Sequence, residues 1–401
     1  RASYHRGNRA RFDELNCDAT GSVYLDNNAT TLPLPEVIET VAQVQREAYG
    51  NPGSRHSFGR QARRILESSR ESIAAILGAD ASEVVFTSGG TEASNLALRG
   101  LARGTSGTIL LAPGEHPATK ETCLALAARG WSLRELPVDS SGLLTPEGIR
   151  DAPWGEVRLA SVLLAHNETG VLQDLALLRE QCRQQRVPWH VDAVQAVGKI
   201  PVDFRELGAT TLSCAAHKFH GPRGIGALLV REGIRLEPLH FGGHQEAGRR
   251  AGTELTALAA GMAKALELWN DNQPPRTEHV RELRDRLQAG LAARCSSTVV
   301  IGAESPRLPN TLNIAFPGID GEALLVALDL AGVACSLGGT CASGALETAP
   351  ILTAMGFPEE IRRSAVRFSL SAFNTRSEID EAVARVAAVV AGLAAAAGTL
   401  S

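Results

Sequence analysis

VVFTSGGTEASNLAL, residues 84 to 98, changes character in its middle. VVFTS is apolar or β-branched on nearly every successive residue, the pattern of a strand covered on both faces. Gly89 and Gly90 break that run, and Thr91–Ala102 then carries helical spacing. A strand that passes through a glycine turn into a helix puts the backbone N–H groups of Gly90 and Thr91, with the Thr91 hydroxyl, at a helix N-terminus. That is a seat for a phosphate. A plainer reading is a capping turn in which Glu92 favours the helix dipole.

The same alternation recurs on either side. TILLAP (108–113), RLASVLLAH (158–166), PWHVDA (188–193), TLSCAA (211–216) and IGALLV (225–230) read as further buried strands. Ala118–Ala128 and Leu175–Gln185 have helical spacing between them. An α/β unit with a mostly parallel central sheet is predicted. After about residue 260 a long helical stretch, a QPP break, an Arg/Glu-rich helix over 277–293 and the strands NTLNIAF and VRFSLSA mix without strict alternation. This predicts a smaller α+β domain closed by the Ala-rich helix EIDEAVARVAAVVAGLAAAAG.

Bulk composition excludes several classes of function. A chain of 401 residues with a net charge of −4 has no electrostatic footprint for nucleic acid or an anionic membrane surface. The cysteines at 17, 123, 182, 214, 295, 335 and 341 include no C-x-x-C pair, so neither a disulfide framework nor a zinc ribbon is expected. That usage fits a reducing cytoplasm. No run of about 18 apolar residues occurs, so no membrane span is expected, and residues 1–22 read as a polar, frayed extension.

Candidate chemistry gathers at the ends of the predicted strands. Lys218 follows TLSCAA, where desolvation would lower an amine's pKa and make it a nucleophile able to form an imine. Pyridoxal phosphate joins a lysine in this way, and it also needs a carboxylate at its ring nitrogen, an anion site and a cover for the ring face. Asp192 of WHVDAVQAVG ends a strand and can face the ring nitrogen, Gln195 can donate to the ring's 3′ oxygen, and His116 of LLAPGEHPA can stack on the ring. Taken singly, Lys218 reads as a solvated strand-end lysine, Asp192 as a helix cap and His116 as a surface histidine. Their joint placement at the edge where open α/β sheets bind ligands favours the cofactor.

Two patterns mislead. GPRGIG imitates a dinucleotide fingerprint but precedes a strand instead of linking strand to helix. Cys214, His217 and His220 have metal-like spacing, yet an extended strand turns Cys214 and His217 to opposite faces, and no metal is expected. A third stretch, SLGGTCASG (336–344), sets Cys341 among glycines and small polar residues that cannot pack a core, and reads as a mobile loop.

From YLDNNATT at 24 to FSLSAFNT at 368 the chain resembles the cysteine desulfurases, pyridoxal-phosphate enzymes of the class V aminotransferase group, in the branch serving nitrogen fixation and housekeeping iron–sulfur assembly. The landmarks are YLDNNATT, GNPGSRHSFGR, FTSGGTEASNLA, HNETGVLQD, HVDAVQAVGK, HKFHGPRGIGAL, GRRAGTE, PNTLNIAF and VRFSL. The resemblance implies the fold type I architecture, with a large domain over 31–260 and a small domain made of 23–30 with 261–401. It implies that Lys218 is the imine lysine, Asp192 the ring-nitrogen partner, Gln195 the 3′-oxygen donor, and His116 the stacking and proton-transfer residue. Thr91 and His217 would bind phosphate beside Gly90, and Asn167 would lie near the ring oxygen and the substrate carboxylate. Arg367 would clamp that carboxylate with its guanidinium fork. Thr253 would reach the phosphate of a neighbouring subunit, implying a homodimer, and Cys341 would accept sulfur from L-cysteine. Two departures stand out: Ala215 replaces a family serine that bonds phosphate, and Leu337 replaces a serine before the cysteine.

The implied reaction converts L-cysteine to L-alanine, leaves a persulfide on Cys341, and passes the sulfur to an iron–sulfur scaffold or sulfur-carrier protein. A selenocysteine lyase would use the same residues. A plain class V aminotransferase would not need Cys341, and a non-catalytic sulfur-transfer scaffold would not need the cofactor.

Overall fold

The computed structural model describes residues 21–102, 104, 106–337 and 349–398. After a short first strand, β1 (Val23–Tyr24), the chain builds a seven-stranded sheet. Its strands are β2 (Val84–Thr87), β3 (Thr108–Leu111), β4 (Ser132–Glu135), β5 (Val157–Leu163), β6 (Trp189–Asp192), β7 (Thr211–Ala215) and β8 (Gly226–Val230). Their order across the sheet is β2-β8-β7-β6-β5-β3-β4, with β8 antiparallel to both neighbours and the other pairings parallel. The mostly parallel α/β sheet expected from the apolar runs is present. β2, β3, β6, β7 and β8 are buried along their whole length, as strands covered on two faces must be.

β4 was not foreseen. Its sequence, SLRE, lies at the sheet edge and is largely exposed, so it has no apolar run to reveal it. The QPP segment also acts differently from a plain break. Pro274 and Pro275 fall in the first turn of the helix Gln273–Arg294, where a missing N–H costs nothing.

A second sheet is formed by β9 (Val299–Val300), β10 (Thr311–Ala315), β12 (Ser336–Leu337) and β13 (Ala365–Ser369), all antiparallel, in the order β12-β13-β10-β9. Between them in sequence, β11 (Val333–Ala334) pairs in parallel with β1. Val23 and Leu25 therefore share a core with Leu312, Phe368 and Leu287. The helix Thr256–Asp271 instead buries Met262, Leu266 and Trp269 with Val37 and Leu66 in the core of the large sheet. Val280, Leu283 and Leu287 of the next helix pack in the other core.

Residues 26–31 strap the two sheets together. Asn27 N donates to Ser369 O (3.0 Å) and Asn28 N to Ser369 Oγ (2.8 Å), while Thr31 N donates to His217 O (3.0 Å). The strap thus ties β13 to the turn that carries Lys218.

Candidate active site

Five strands of the large sheet deliver the candidate residues from their C-terminal ends. β2 leads to Gly90 and Thr91, β3 to His116, β5 to Asn167, β6 ends at Asp192, and β7 leads to His217 and Lys218. Register makes this convergence unavoidable: Leu163 of β5 pairs with Asp192 of β6, and Asp192 pairs with Ser213 of β7.

Lys218 Nζ donates to the carbonyls of Asn28 (2.7 Å) and Ala29 (2.9 Å) in the strap. Burial, and then the charge of Arg367, lower its pKa to about 8, against the opposing pull of Asp192, Asp26 and Glu168. Asp192 is buried and its Oδ1 accepts from Val194 N (2.9 Å). Burial raises its pKa, while His116, the Val194 hydrogen bond and Lys218 oppose the rise. His116 caps the helix Pro117–Ala127, with Nδ1 accepting from Ala118 N (3.1 Å), so its neutral ring carries the proton on Nε2. Desolvation holds its pKa below the ordinary value.

Arg367 is buried in β13. Its Nη2 donates to Asp26 Oδ1 (2.8 Å), and its Nη1 to Glu168 Oε1 (3.1 Å) and Asn167 O (3.2 Å). Its Nε has no partner among the described residues, and neither has the buried Oδ1 of Asn167. An unpaired donor on a buried guanidinium is costly unless a ligand completes it. A carboxylate would do so.

The phosphate seat is shaped by what Gly90 lacks. A Cβ there would lie 2.8 Å from Val194 Cγ2, so glycine lets the turn close against the Val194 side chain after β6, while Ala215 Cβ of β7 would sit at an ordinary contact distance of 3.7 Å. The helix Gly90–Leu101 starts at this point, with its first N–H groups free of intrahelical partners. Glu92 also fills the plainer role, accepting from Ser88 N at 2.7 Å and from Arg250 Nε at 2.8 Å. Thr91 and His116 line one groove. His217 Nδ1 lies 3.2 Å from Thr30 Oγ1, and burial takes its pKa down to about 4, leaving it a neutral hydrogen-bonding group. These residues fit pyridoxal phosphate: a carboxylate buried at one end, a glycine-lined helix start at the other, and a low-pKa amine between them.

Gln195 Nε2 donates to Asn28 O at 3.0 Å, on the same carbonyl that Lys218 uses. Thr253 is exposed. Cys341 lies outside the described residues. The chain leading to it is anchored, because Leu337 pairs with Val366 and packs on the small-domain core. Cys335 sits between β11 and β12, with burial pushing its thiol up to about 12.

Several contributors had no role in the reading of the sequence. Asp26 and Glu168 bracket Arg367, and their only signal was position inside YLDNNATT and HNETG. His166 Nε2 lies 3.1 Å from Gly114 O while its Nδ1 accepts from Glu168 N (3.1 Å), bracing the Asn167 loop against the His116 loop. Burial brings its pKa to about 4. Lys199 is buried and bonded to Gln195 and Asn28. A lysine in an apolar turn was the available clue.

The chain is similar to known proteins over most of its length. The Aminotransferase class-V family profile matches residues 23–382. The chain is 43% identical over 382 residues to a cysteine desulfurase of Enterobacter agglomerans, covering 93% of each chain. It is 41% identical over 363 residues to one of Nostoc sp., covering 90% of this chain and 91% of that one. A solved NifS-like protein superposes with a TM-score of 0.86 at 34% identity, covering 93% of this chain and all of the other (100%).

Proposed function

The chain belongs to the aminotransferase class-V family, as a pyridoxal-phosphate-dependent cysteine desulfurase, and from that premise we propose how its own residues share the work on L-cysteine. The observation that carries the proposal is that one strap holds both Lys218, with its pKa near 8, at Asn28 and Ala29, and Arg367, with its unpaired Nε, at Asp26.

Arg367 binds the substrate carboxylate through Nε, with Asn167 near that carboxylate and the ring oxygen. Asp26 and Glu168 hold the guanidinium plane and so fix the angle of approach. Asp192 keeps a proton on the ring nitrogen of the cofactor, Gln195 donates to the ring's 3′ oxygen, and His116 covers the ring face. Gly90, Thr91 and His217 hold the phosphate. Pyridoxal phosphate, when bound, supplies an electron-poor ring that accepts the electron pair released at the substrate α carbon. Lys218 Nζ takes the α proton. Cys341 gives up its thiol proton, which His116 can hold, and its sulfur bonds to the substrate's sulfur as the substrate Cβ–S bond breaks and leaves its electron pair on carbon. One proton then goes to Cβ and the one held by Lys218 returns to Cα, so that L-cysteine leaves as L-alanine and Cys341 carries a persulfide. Ala215 offers no hydroxyl at the phosphate, and that seat relies on its remaining donors.

The persulfide passes to an iron–sulfur scaffold or sulfur-carrier protein. A homodimer completes the site, with Thr253 of one protomer at the phosphate of the other. The exposed rings of Tyr49, Phe58 and Phe241 support such a contact. No helix among the described residues is long and apolar enough to cross a membrane. The five described cysteines are free, which supports a reducing compartment such as the cytoplasm.

The test is incubation with L-cysteine, followed by assay of alanine and mass spectrometry of the peptide holding Cys341. Alanine together with one added sulfur on that peptide is the expected result. Alanine with an unmodified Cys341, or full activity in Cys341→Ala, would sink the persulfide step.

A further inference from the structure

Gln195 and Lys199 lie on the turn after β6, and both are buried. Lys199 Nζ donates to Gln195 Oε1 at 2.6 Å and to Asn28 Oδ1 at 2.8 Å. Gln195 Nε2 donates to Asn28 O at 3.0 Å. The two ends of the Gln195 amide therefore face partners of opposite kind. Turning it over would set Oε1 against the Asn28 carbonyl and Nε2 against the Lys199 amine, losing both bonds at once.

Asn28 is itself fixed. Its Oδ1 also accepts from Asn310 Nδ2 (3.0 Å) and its Nδ2 donates to Thr311 Oγ1 (2.9 Å). Lys199 thus joins Gln195, through Asn28, to β10 of the small sheet. No carboxylate pairs with Lys199 among the described residues. Its burial and the facing charges of Lys218 and Arg367 lower its pKa well below the usual value. An amine kept in such surroundings without a counter-charge is costly, and its two oxygen partners are what it offers in return.

We infer that Lys199 is a positioning residue that holds the Gln195 amide with its nitrogen end toward the 3′ oxygen of the bound cofactor. The inference rests on the proposed role of Gln195 as the donor to that oxygen. With Oε1 committed to Lys199 and one hydrogen of Nε2 committed to Asn28, the second hydrogen of Nε2 is the one left to give.

The experiment reads the visible absorption of the holoenzyme against pH and needs no turnover. A hydrogen bond to the 3′ oxygen stabilises its anionic form, so losing that bond raises the midpoint of the absorption change by about one pH unit. Gln195→Leu is expected to give this rise, and if it does not, the role of Gln195 itself fails. Lys199→Met is expected to give at least half of the rise alone and none when added to Gln195→Leu. If Lys199→Met does not yield folded holoenzyme, Lys199→Gln replaces it, since an amide there can face Gln195 with either end and no longer selects an orientation. The inference is overturned if the folded Lys199 variant keeps the wild-type midpoint while Gln195→Leu moves it. It is equally overturned if the Lys199 variant adds the same rise in the Gln195→Leu background, because Lys199 would then act through its charge.

Discussion

An amine that loses its proton near pH 8 is a different reagent from one that does so near 10.5, because far more of it is free to attack an aldehyde at neutral pH. Lys218 is of the first kind, and burial is the leading cause. Capture of pyridoxal phosphate by cofactor-free protein is therefore expected to quicken as pH rises to about 8 and to level off above it. Stopped-flow absorbance checks this, and a rate still climbing toward 10.5 would contradict it. Arg367 supports a second expectation. Arg367→Lys keeps the charge between Asp26 and Glu168 but loses the planar fork. A weaker grip of about 1.5–3 kcal/mol should raise KM for L-cysteine roughly 10- to 100-fold with a smaller change in kcat, measurable from steady-state alanine release. At this scale the sequence spoke clearly for Lys218, Asp192 and Gly90, because each ends or follows a legible apolar run. It was silent on Lys199, Asp26 and His166, whose importance comes from partners on other elements.

Among the elements, the strands that could be read were those buried on both faces, and β4 was missed because edge exposure gives it ordinary surface residues. The turn after β6 shows a tighter constraint than its sequence suggests. Gly198 has φ +75°, and a Cβ there would come within 2.2 Å of Phe219 Cβ, next to Lys218. Gly198→Ala should cost about 2–4 kcal/mol in a denaturant titration, from left-handed backbone strain plus overpacking. It should also loosen cofactor binding, since Gln195 and Lys199 share that turn and the displaced Phe219 directly follows Lys218.

In the whole molecule, long-range ties carry much of the architecture that local sequence could not announce. Arg70, on the helix Ser57–Ile76, forms a buried pair with Glu246 (2.7 Å), whose Oε2 also accepts from Phe86 N of β2 (3.1 Å). Arg70→Met leaves that carboxylate buried without its cation and should lower stability by about 3–5 kcal/mol. Adding Glu246→Gln should restore a good part of the loss in the same urea titration. β1 and the strap reach farther still along the sequence. Val23 pairs with Val333 and Asn27 with Ser369, so the first described strand belongs to a core whose other walls come from the far end of the chain. On a ribosome adding roughly 5–20 residues per second, β1 waits between about 15 and 60 s for β11 to be made. Lys218 emerges long before Arg367, so the amine is made while the guanidinium proposed to hold the substrate has yet to be synthesised. A chain grown past Lys218 but not yet to Arg367 carries the amine without the guanidinium, and by the proposed division of labour it cannot desulfurate cysteine.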